Sequence, residues 1–458
     1  MKKILLCLVL TVCLSVSVLA AADLSDIVID DYNATPDVSV SGYPRFETLK
    51  DGTLILTNSG VVRKSTDNGT SWTRTPITQN CAATATSASG KTHELSRENW
   101  QGFVLDDGTV MVAYRARTKN YSSGEFYTSI RFMTSTDNAT TFDNEVIVAE
   151  ATANSFNGYW EPFMIQPDED TVLIFYSDDL NVKNSSNQQN IVYHEYNLKT
   201  KEIGDAVIAI DGESRNSRDG MPVITSLRYG GYAMVIETHD YSWRSYKGVY
   251  GKSVFVIGLS LSKDGYNWSE PVPVVAPADL RGGDRAAAPF ITTLPDGRVV
   301  ISYMTEDGYT GERVDTDAHL NCVYAAVISD DVITTDTKLA PTTGGAAKGF
   351  TALPDLFDDP NTGYMVWNTV FCDGEYLYFS GSAGANDKSV SSSLKLRRAD
   401  VSATVVNADI DDDGNVTLFD VLRALKGIAA NKLYKYDLNN DAVADIKDAI
   451  IVIKEMLD

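Results

Sequence analysis

Two glutamates, Glu161 and Glu237, have the neighbours expected of residues that do chemistry. Trp160 precedes the first, and Arg218 and His239 lie near the second in the sequence. Cleavage of a glycosidic bond needs such a pair, because one carboxyl protonates the leaving oxygen while the other carboxylate attacks the sugar or activates water. Both glutamates fall at matching points of two successive sequence repeats, so we predict that they face each other at one site.

The scaffold that would position this pair is a repeated hairpin unit. A short apolar strand, an Asp-Gly turn or its equivalent, and a second apolar strand recur six times, at residues 43–56, 101–114, 161–176, 221–236, 289–303 and 364–379. Asp-Gly between alternating apolar residues is a strong hairpin signal. A further strand pair usually follows, and four strands recurring about every 60 residues are typical of a propeller blade. We predict an all-β six-bladed β-propeller over residues 23–400, with an early strand near residues 27–29 completing the last blade.

A second repeat lies inside these units. Residues 65–72 read Ser-x-Asp-x-Gly-x-x-Trp, and residues 135–142 and 262–268 are partial copies. Asp and Gly favour a turn, and the aromatic residue can pack back on the sheet. The motif resembles the Asp boxes of sialidases and related propellers, so we predict a structural role away from the chemistry.

The C-terminal stretch has a different pattern. Residues 409–420 and 437–448 have the spacing of calcium-binding loops, and an apolar helix follows each loop. The predicted ligands are Asp409, Asp411, Asp413, Asn415 and Asp420 in the first loop, and Asp437, Asn439, Asp441, Val443 and Asp448 in the second, with Asn415 and Val443 acting through their carbonyls. Residues 405–458 resemble a type I dockerin, which implies two Ca²⁺ ions, a small α-helical domain, and a cohesin module of a cellulosome scaffold as partner.

The N-terminus and the composition restrict where the protein works. Residues 1–22 have the charged start, apolar middle and small-residue end of a signal peptide, so we predict a secreted, extracellular protein. No later segment approaches the roughly 20 apolar residues of a membrane span. The net charge of −23 argues against nucleic-acid partners. Three cysteines remain after the signal, so at most one disulfide can form among them.

Several motifs of the predicted propeller are similar to those of glycoside hydrolase family 93, the exo-arabinanases. The matching segments, in family order, are Tyr43-Pro-Arg45, Trp160-Glu-Pro-Phe163, Tyr176-Ser-Asp-Asp179, Arg218 with Gly220-Met-Pro-Val223, and Glu237. The resemblance implies a six-bladed, monomeric catalytic domain that releases arabinobiose from plant cell-wall α-1,5-arabinan with retention. It also implies Glu161 and Glu237 as the catalytic pair, without a catalytic cofactor. We assign the nucleophile to Glu161 and the acid/base to Glu237.

Seven further residues are candidates for substrate contact or for structural roles. They are Arg45, Arg115, Trp160, Tyr176, Asp179, Arg218 and His239. Their guanidinium and carboxylate groups can bind sugar hydroxyls, and their aromatic faces can stack on sugars, but ion pairs and core packing are equally open. The chain departs from the family at Asp219, where the family usually has Pro.

Two other interpretations remain open. A sialidase on the same scaffold would use a Tyr nucleophile and three Arg, which here would be Arg45, Arg115 and Arg285. The Arg-Ile-Pro segment with which sialidases usually start is absent. A non-catalytic glycan-binding propeller carried by a dockerin is the second alternative.

Overall fold

The computed structural model describes residues 34–37, 43–185, 188–227, 230–240, 255–276, 286–295, 297–305, 322–328, 345–346, 350–353, 364–384, 393–401, 417–429, 449–450 and 452–453. The predicted signal peptide and Arg285 lie outside these residues. So do all the predicted calcium ligands except Asp420.

The described part of the chain is nearly all β and propeller-like, which confirms the predicted fold class at that level. Its strands form six antiparallel sheets of four or five strands each. The N-terminal strand is β1 (Ala34–Asp37). The first three sheets contain β2 Arg45–Thr48, β3 Leu54–Asn58, β4 Val61–Ser65 and β5 Thr73–Pro76; then β6 Thr84–Thr86, β7 Thr92–Val104, β8 Val110–Thr118, β9 Phe126–Ser135 and β10 Asp143–Ala153; then β11 Tyr159–Asp168, β12 Thr171–Asp178, β13 Asn190–Asn197 and β14 Val207–Ile210.

The last three sheets continue the same up-and-down order. They contain β15 Ser217–Ser226, β16 Tyr232–Asp240, β17 Val256–Ser262, β18 Val272–Ala276 and β22 Gly345–Ala346; then β19 Ala286–Thr293, β20 Val299–Thr305, β21 Cys322–Ile328 and β23 Phe350–Leu353; then β24 Tyr364–Cys372, β25 Tyr376–Gly384 and β26 Ser393–Asp400. Strand β1 pairs with β26, so the N-terminal strand completes the last sheet. This closing strand lies at residues 34–37, whereas residues 27–29, where the sequence predicts it, lie outside the described residues.

One strand from each sheet lies beside a strand of the next sheet, and these six strands form a closed series. Strand β2 contacts β7, β7 contacts β11, and the series continues through β15, β19 and β24 back to β2. Aromatic side chains fill the space between neighbouring sheets. Phe46 stacks on Phe371 with ring centroids 6.2 Å apart, and Phe132 meets Tyr196 edge-on at 4.8 Å. Buried packing between sheets therefore holds the central strands in place.

Five of these central strands share a local distortion. Each pairs irregularly with its neighbour around one non-glycine residue of positive φ, namely Asn99 (54°), Glu161 (38°), Met221 (54°), Ala288 (46°) and Trp367 (55°). Left-handed backbone costs such residues roughly 1–2 kcal/mol, and bulges re-aim side chains. Pro follows three of the five. The distortion therefore marks an equivalent point in five sheets, and one of these points is a predicted catalytic residue.

The Asp-box segments form the predicted turns. Asp67 Oδ1 accepts hydrogen bonds from the Ser65 hydroxyl at 2.7 Å and from the Ser71 amide at 2.8 Å. The Trp72 indole N–H donates to the carbonyl of Gly69 at 2.8 Å. The segment at residues 262–268 repeats this pattern, including the indole bond. Local hydrogen bonds within eight residues therefore account for this motif, which confirms its structural role.

The helix α1 (Leu418–Ala429) follows the sheets. Thr417 precedes it, and its amide and hydroxyl both donate to Asp420 Oδ2, at 2.7 and 3.1 Å. Within the described part of the chain, no helix is both long and apolar enough to span a membrane.

Candidate active site

Glu161 and Glu237 lie on adjacent sheets but on different kinds of strand. Glu161 belongs to β11, the first strand of its sheet, whereas Glu237 belongs to β16, the second strand of the next. The prediction that they occupy matching points of two repeats is therefore wrong. Glu237 lies opposite Gly220 of β15, where an added Cβ would meet its Cγ and Oε1 at 3.6 Å. The missing side chain at Gly220 keeps the space beside the Glu237 carboxylate open.

The carboxyl group of Glu161 has a raised pKa and therefore keeps its proton to higher pH than an ordinary glutamate. Its pKa is raised to about 7, first by burial and then by the negative charge of Glu237. The positive charges of Arg115, Arg218 and Arg45 act in the opposite direction. Because Glu237 is a main cause of this shift, the two carboxylates belong to one electrostatic site.

Glu237 has the surroundings of an ionised carboxylate. Its Oε2 accepts the backbone N–H of Ala288 at 3.1 Å, and its Oε1 lies 3.9 Å from Nη1 of Arg218. A donated hydrogen bond and a nearby cation both favour the charged form of a carboxyl group. An acid with a raised pKa beside an ionised carboxylate is the usual division of roles in a glycosidase. The two glutamates therefore differ in their surroundings, since burial raises the pKa of Glu161 while Glu237 contacts an amide and a cation.

A cavity of about 360 Å³ opens beside Glu161. Its walls come from three sheets and comprise Tyr43, Ser59, Arg97, Glu98, Asn99, Trp100, Arg115, Trp160 and Glu161. Burial, then the charges of Glu161 and Glu237, raise the pKa of the Tyr43 hydroxyl well above its ordinary value, so this wall carries a neutral phenol. The volume falls within the usual range for small-ligand sites.

Arg115 supplies buried donors to this cavity. It is 1% exposed, and burial lowers its pKa to about 10. Its Nη1 lies 3.7 Å from Oε2 of Glu98, while Nε and Nη2 have no hydrogen-bond partner among the residues that the structure describes. Buried donors without partners are costly.

Asp179 holds the indole of Trp160. Its Oδ2 accepts the indole N–H at 3.1 Å, and its Oδ1 accepts the amide of Gly158 at 2.5 Å. Burial raises the pKa of Asp179 to about 6, although these hydrogen bonds and Arg218 lower it. The side chain is 5% exposed. Asp179 therefore acts on the cavity through Trp160.

The other predicted binding residues surround the two glutamates. Arg45 lies 4.7 Å from the Phe290 ring and 5.0 Å from the Tyr43 ring, and burial lowers its pKa to about 10. Arg218 is 28% exposed. The His239 ring lies 3.5 Å from that of Phe255, whose ring also faces Arg218. Arg45 and Arg218 thus lie close enough to Glu161 to lower its pKa, and Arg218 also contacts Glu237.

The structure does not bring Tyr176 to the cavity. Its side chain is 1% exposed and packs in the core between sheets, with its hydroxyl 3.1 Å from Nε2 of His194. The predicted sugar contact of Tyr176 is therefore wrong. Nearly every residue of β12 is buried on both faces, so alternation along the strand could not distinguish core from cavity.

Sequence reasoning missed the wall formed by the second sheet. Asn99 occupies the same distorted position in its sheet as Glu161 does, and Glu98 and Trp100 flank it. Aligning the second repeat two residues earlier than Gln101 would have drawn attention to them.

No group of three or more His, Cys, Asp or Glu residues that could hold a metal ion occurs among the described residues. Asp420 alone of the predicted calcium ligands is described, and its carboxylate is buried against Thr417. The predicted ligand set consists of carboxylate, amide and carbonyl oxygens, which is the chemistry that Ca²⁺ prefers.

Comparison with solved structures supports the fold. The α-L-arabinofuranosidase of Fusarium graminearum in complex with an iminosugar inhibitor aligns with a TM-score of 0.51 at 17% identity, over 82% of this chain and 97% of that one. The same fungus's family 93 α-L-arabinofuranosidase with arabinobiose gives 0.51 and 17%, over 82% and 98%. A Dyadobacter fermentans protein of unknown function gives 0.51 at 12% identity, over 82% and 100%. No family model and no curated protein matches the chain. At these identities the similarity shows a shared fold.

Proposed function

We propose that this protein is a secreted glycoside hydrolase with a six-bladed propeller that releases arabinobiose from the ends of plant cell-wall α-1,5-L-arabinan, with retention. The observation that carries the proposal is the electrostatic pairing of Glu161, with a pKa of about 7, and Glu237, held by Arg218 and an amide, beside a cavity of about 360 Å³. The closed series of contacts among six strands, one from each sheet, supports the blade count. The family 93 motifs support the substrate.

In the proposed mechanism Glu237 attacks the anomeric carbon while Glu161 protonates the leaving glycosidic oxygen. Glu161, now ionised, then removes a proton from water, which displaces Glu237 from the sugar. Two displacements at one carbon retain its configuration. Burial helps to keep Glu161 protonated in the resting site, and the Ala288 amide and Arg218 keep Glu237 charged.

Digestion of debranched arabinan, with sialyllactose and buffer alone alongside, tests the proposal. Arabinobiose should be the main product, and Glu161→Gln and Glu237→Gln should each abolish its release while the variants keep the wild-type melting temperature within a few degrees. Cleavage of sialyllactose would instead identify a sialidase. If neither substrate were cleaved and arabinan were bound equally by both variants, the protein would be a glycan-binding module.

Azide distinguishes the roles of the two glutamates. Glu161→Ala should still react with an aryl arabinobioside, because a good leaving group needs no proton, and azide should then accelerate turnover and yield an azide of retained configuration. Glu237→Ala should form only the inverted azide, because azide replaces the missing nucleophile. The opposite pattern would restore the assignment made from the sequence.

We also propose that residues 405–458 form a dockerin that binds two Ca²⁺ ions and docks the enzyme to a cohesin of a cellulosome. Helix α1 supports this, because it presents apolar side chains to solvent. Leu418 is 60% exposed and Phe419 is 69% exposed, and Leu422 and Leu425 are also exposed. Native gel electrophoresis of the full chain with a type I cohesin module should show a complex that is lost in EGTA. Absence of a complex in calcium would exclude this partner.

A further inference from the structure

Asp219 lies in β15, the strand that pairs with the Glu237 strand β16, and its side chain is fully buried. The β15–β16 register pairs Asp219 with Thr238, and Gly220 with Glu237. Because successive residues of a strand point to opposite faces, Arg218 and Glu237 project toward the candidate active site while Asp219 and Thr238 point away from it. Asp219 therefore acts on the site through the backbone that supports it.

Both carboxylate oxygens of Asp219 are used. Oδ1 accepts the hydroxyl of Ser217 and the hydroxyl of Thr238, each at 2.7 Å. Oδ2 pairs with the guanidinium of Arg215. Ser217 and Thr238 are fully buried as well. Hydrogen bonds to an ionised acceptor are strong, and burial strengthens them further, so this network holds β16 against β15 one residue from Glu237.

The backbone of Asp219 also joins this strand pair to the sheet of Glu161. The Asp219 amide donates to the carbonyl of Gln189 at 3.2 Å, and the Gln189 amide donates to the carbonyl of Ser217 at 3.1 Å. Gln189 directly precedes β13, which belongs to the same sheet as Glu161. One residue thus connects the sheet of one glutamate with the strand of the other.

We propose that Asp219 is a positioning residue that sets the place of Glu237 relative to Glu161. The inference rests on the proposed function, since a retaining glycosidase needs its carboxyl groups about 5–5.5 Å apart. The connection through Gln189 and Thr238 depends on the amide proton and the carboxylate of Asp219.

Covalent labelling of the nucleophile tests this role. An arabinobiosyl fluoride with fluorine at C2 loses fluoride without needing a proton, so its labelling rate reports attack by Glu237 alone. Asp219→Asn and Thr238→Val should be labelled about 10- to 100-fold more slowly, because small displacements of reacting groups carry costs of that order. Thr238→Ser keeps the hydroxyl and should restore most of the rate. Mass spectrometry of the labelled peptide identifies the modified residue.

The matched control is Glu145→Gln. Glu145 is a partly buried carboxylate, 2.9 Å from the guanidinium of Arg131, and it lies in the second sheet. This variant should lose stability and keep the wild-type labelling rate. If Asp219→Asn and Thr238→Val behave in the same way, Asp219 is merely structural and the inference is wrong. If Asp219→Asn fails to fold, the labelling rates of Thr238→Val and Thr238→Ser decide whether the inference holds. Labelling of the wild type at Glu161 would exchange the roles of the two glutamates, and the rates of the variants would still decide the inference. A wild-type protein that is labelled at neither glutamate overturns the proposed function, and the inference with it.

Discussion

The guanidinium of Arg115 lies 3.6 Å from the centroid of the Trp160 ring, so the cation is stacked on the indole that forms one wall of the cavity. Asp179 holds the same indole from its N–H, and Glu161 follows Trp160 in the chain. A buried cation on an aromatic face contributes about 0.5–2 kcal/mol. The stack therefore fixes the Trp160 wall of the cavity and the place of the Arg115 guanidinium against it.

Arg115→Lys should weaken substrate binding. Lysine keeps the charge but has neither the planar face for Trp160 nor the donor edge formed by Nε and Nη2. KM should rise about 10- to 100-fold, as expected for loss of hydrogen bonds from a charged group. Steady-state kinetics on arabinan oligosaccharides measure the change. Arg74→Lys, on an exposed strand, is the control, and an unchanged KM for Arg115→Lys would exclude substrate contact by Arg115.

The activity should fall as pH rises through about 7. Glu161 has a pKa of about 7 and must be protonated to assist the leaving group, so the alkaline limb of kcat/KM against pH reports it. Arg218 lowers this pKa, so Arg218→Met should shift the limb to higher pH while reducing kcat. A limb that stays in place in Arg218→Met would show that another group controls it.

The same raised pKa should make stability depend on pH. The ordinary value of 4.5 is raised to about 7 in the folded protein, so the stabilisation is complete below about 4.5 and is lost as pH rises through 7. Glu161→Gln cannot ionise and should gain melting temperature over the wild type at pH 8 but not at pH 4, by a few degrees. Calorimetry at both pH values measures this. An equal difference at the two pH values would contradict the pKa.

The two Asp boxes of the first and second sheets offer a matched pair of substitutions. Gly69 and Ala139 occupy the same motif position, with φ of 86° and 56°. Ala139→Gly should raise the melting temperature, because it removes left-handed strain from a non-glycine residue. Gly69→Ala should lower it, because a Cβ there would also lie 3.0 Å from Leu396. Thermal unfolding measures both, and activity should not change. A fall for Ala139→Gly would mean that the loss of its methyl group outweighs the strain.

Removal of calcium should unfold the proposed dockerin alone. Its carboxylates repel one another without the ion, so metal binding and folding of this module should be coupled. Calorimetry of the full chain should show two transitions, of which EGTA removes the one that belongs to the C-terminal module. Asp411→Ala removes a predicted ligand of the first loop and should lower the temperature of the C-terminal transition in the presence of calcium. A thermogram that EGTA leaves unchanged would exclude the calcium sites.

The sequence alone determined the features that depend on near neighbours in the chain. The hairpins follow from alternating apolar residues around Asp-Gly turns, and each Asp box follows from hydrogen bonds within eight residues. Glu161 could be predicted as a candidate catalytic residue because Trp160 precedes it. These interactions hold in any tertiary arrangement that leaves the strands paired.

Tertiary structure decided which distant residues contact each other and how burial and charge shift their pKa values. Glu237 takes its character from Arg218 and from Ala288, which lies 51 residues further on in the next sheet. The raised pKa of Glu161 depends on burial and on that same Glu237, and neither can be read from the residues beside it. Tyr176 enters the core because both faces of its strand are covered. Burial and charge at a site depend on distant segments, so the different surroundings of the two glutamates arise only when neighbouring sheets pack together.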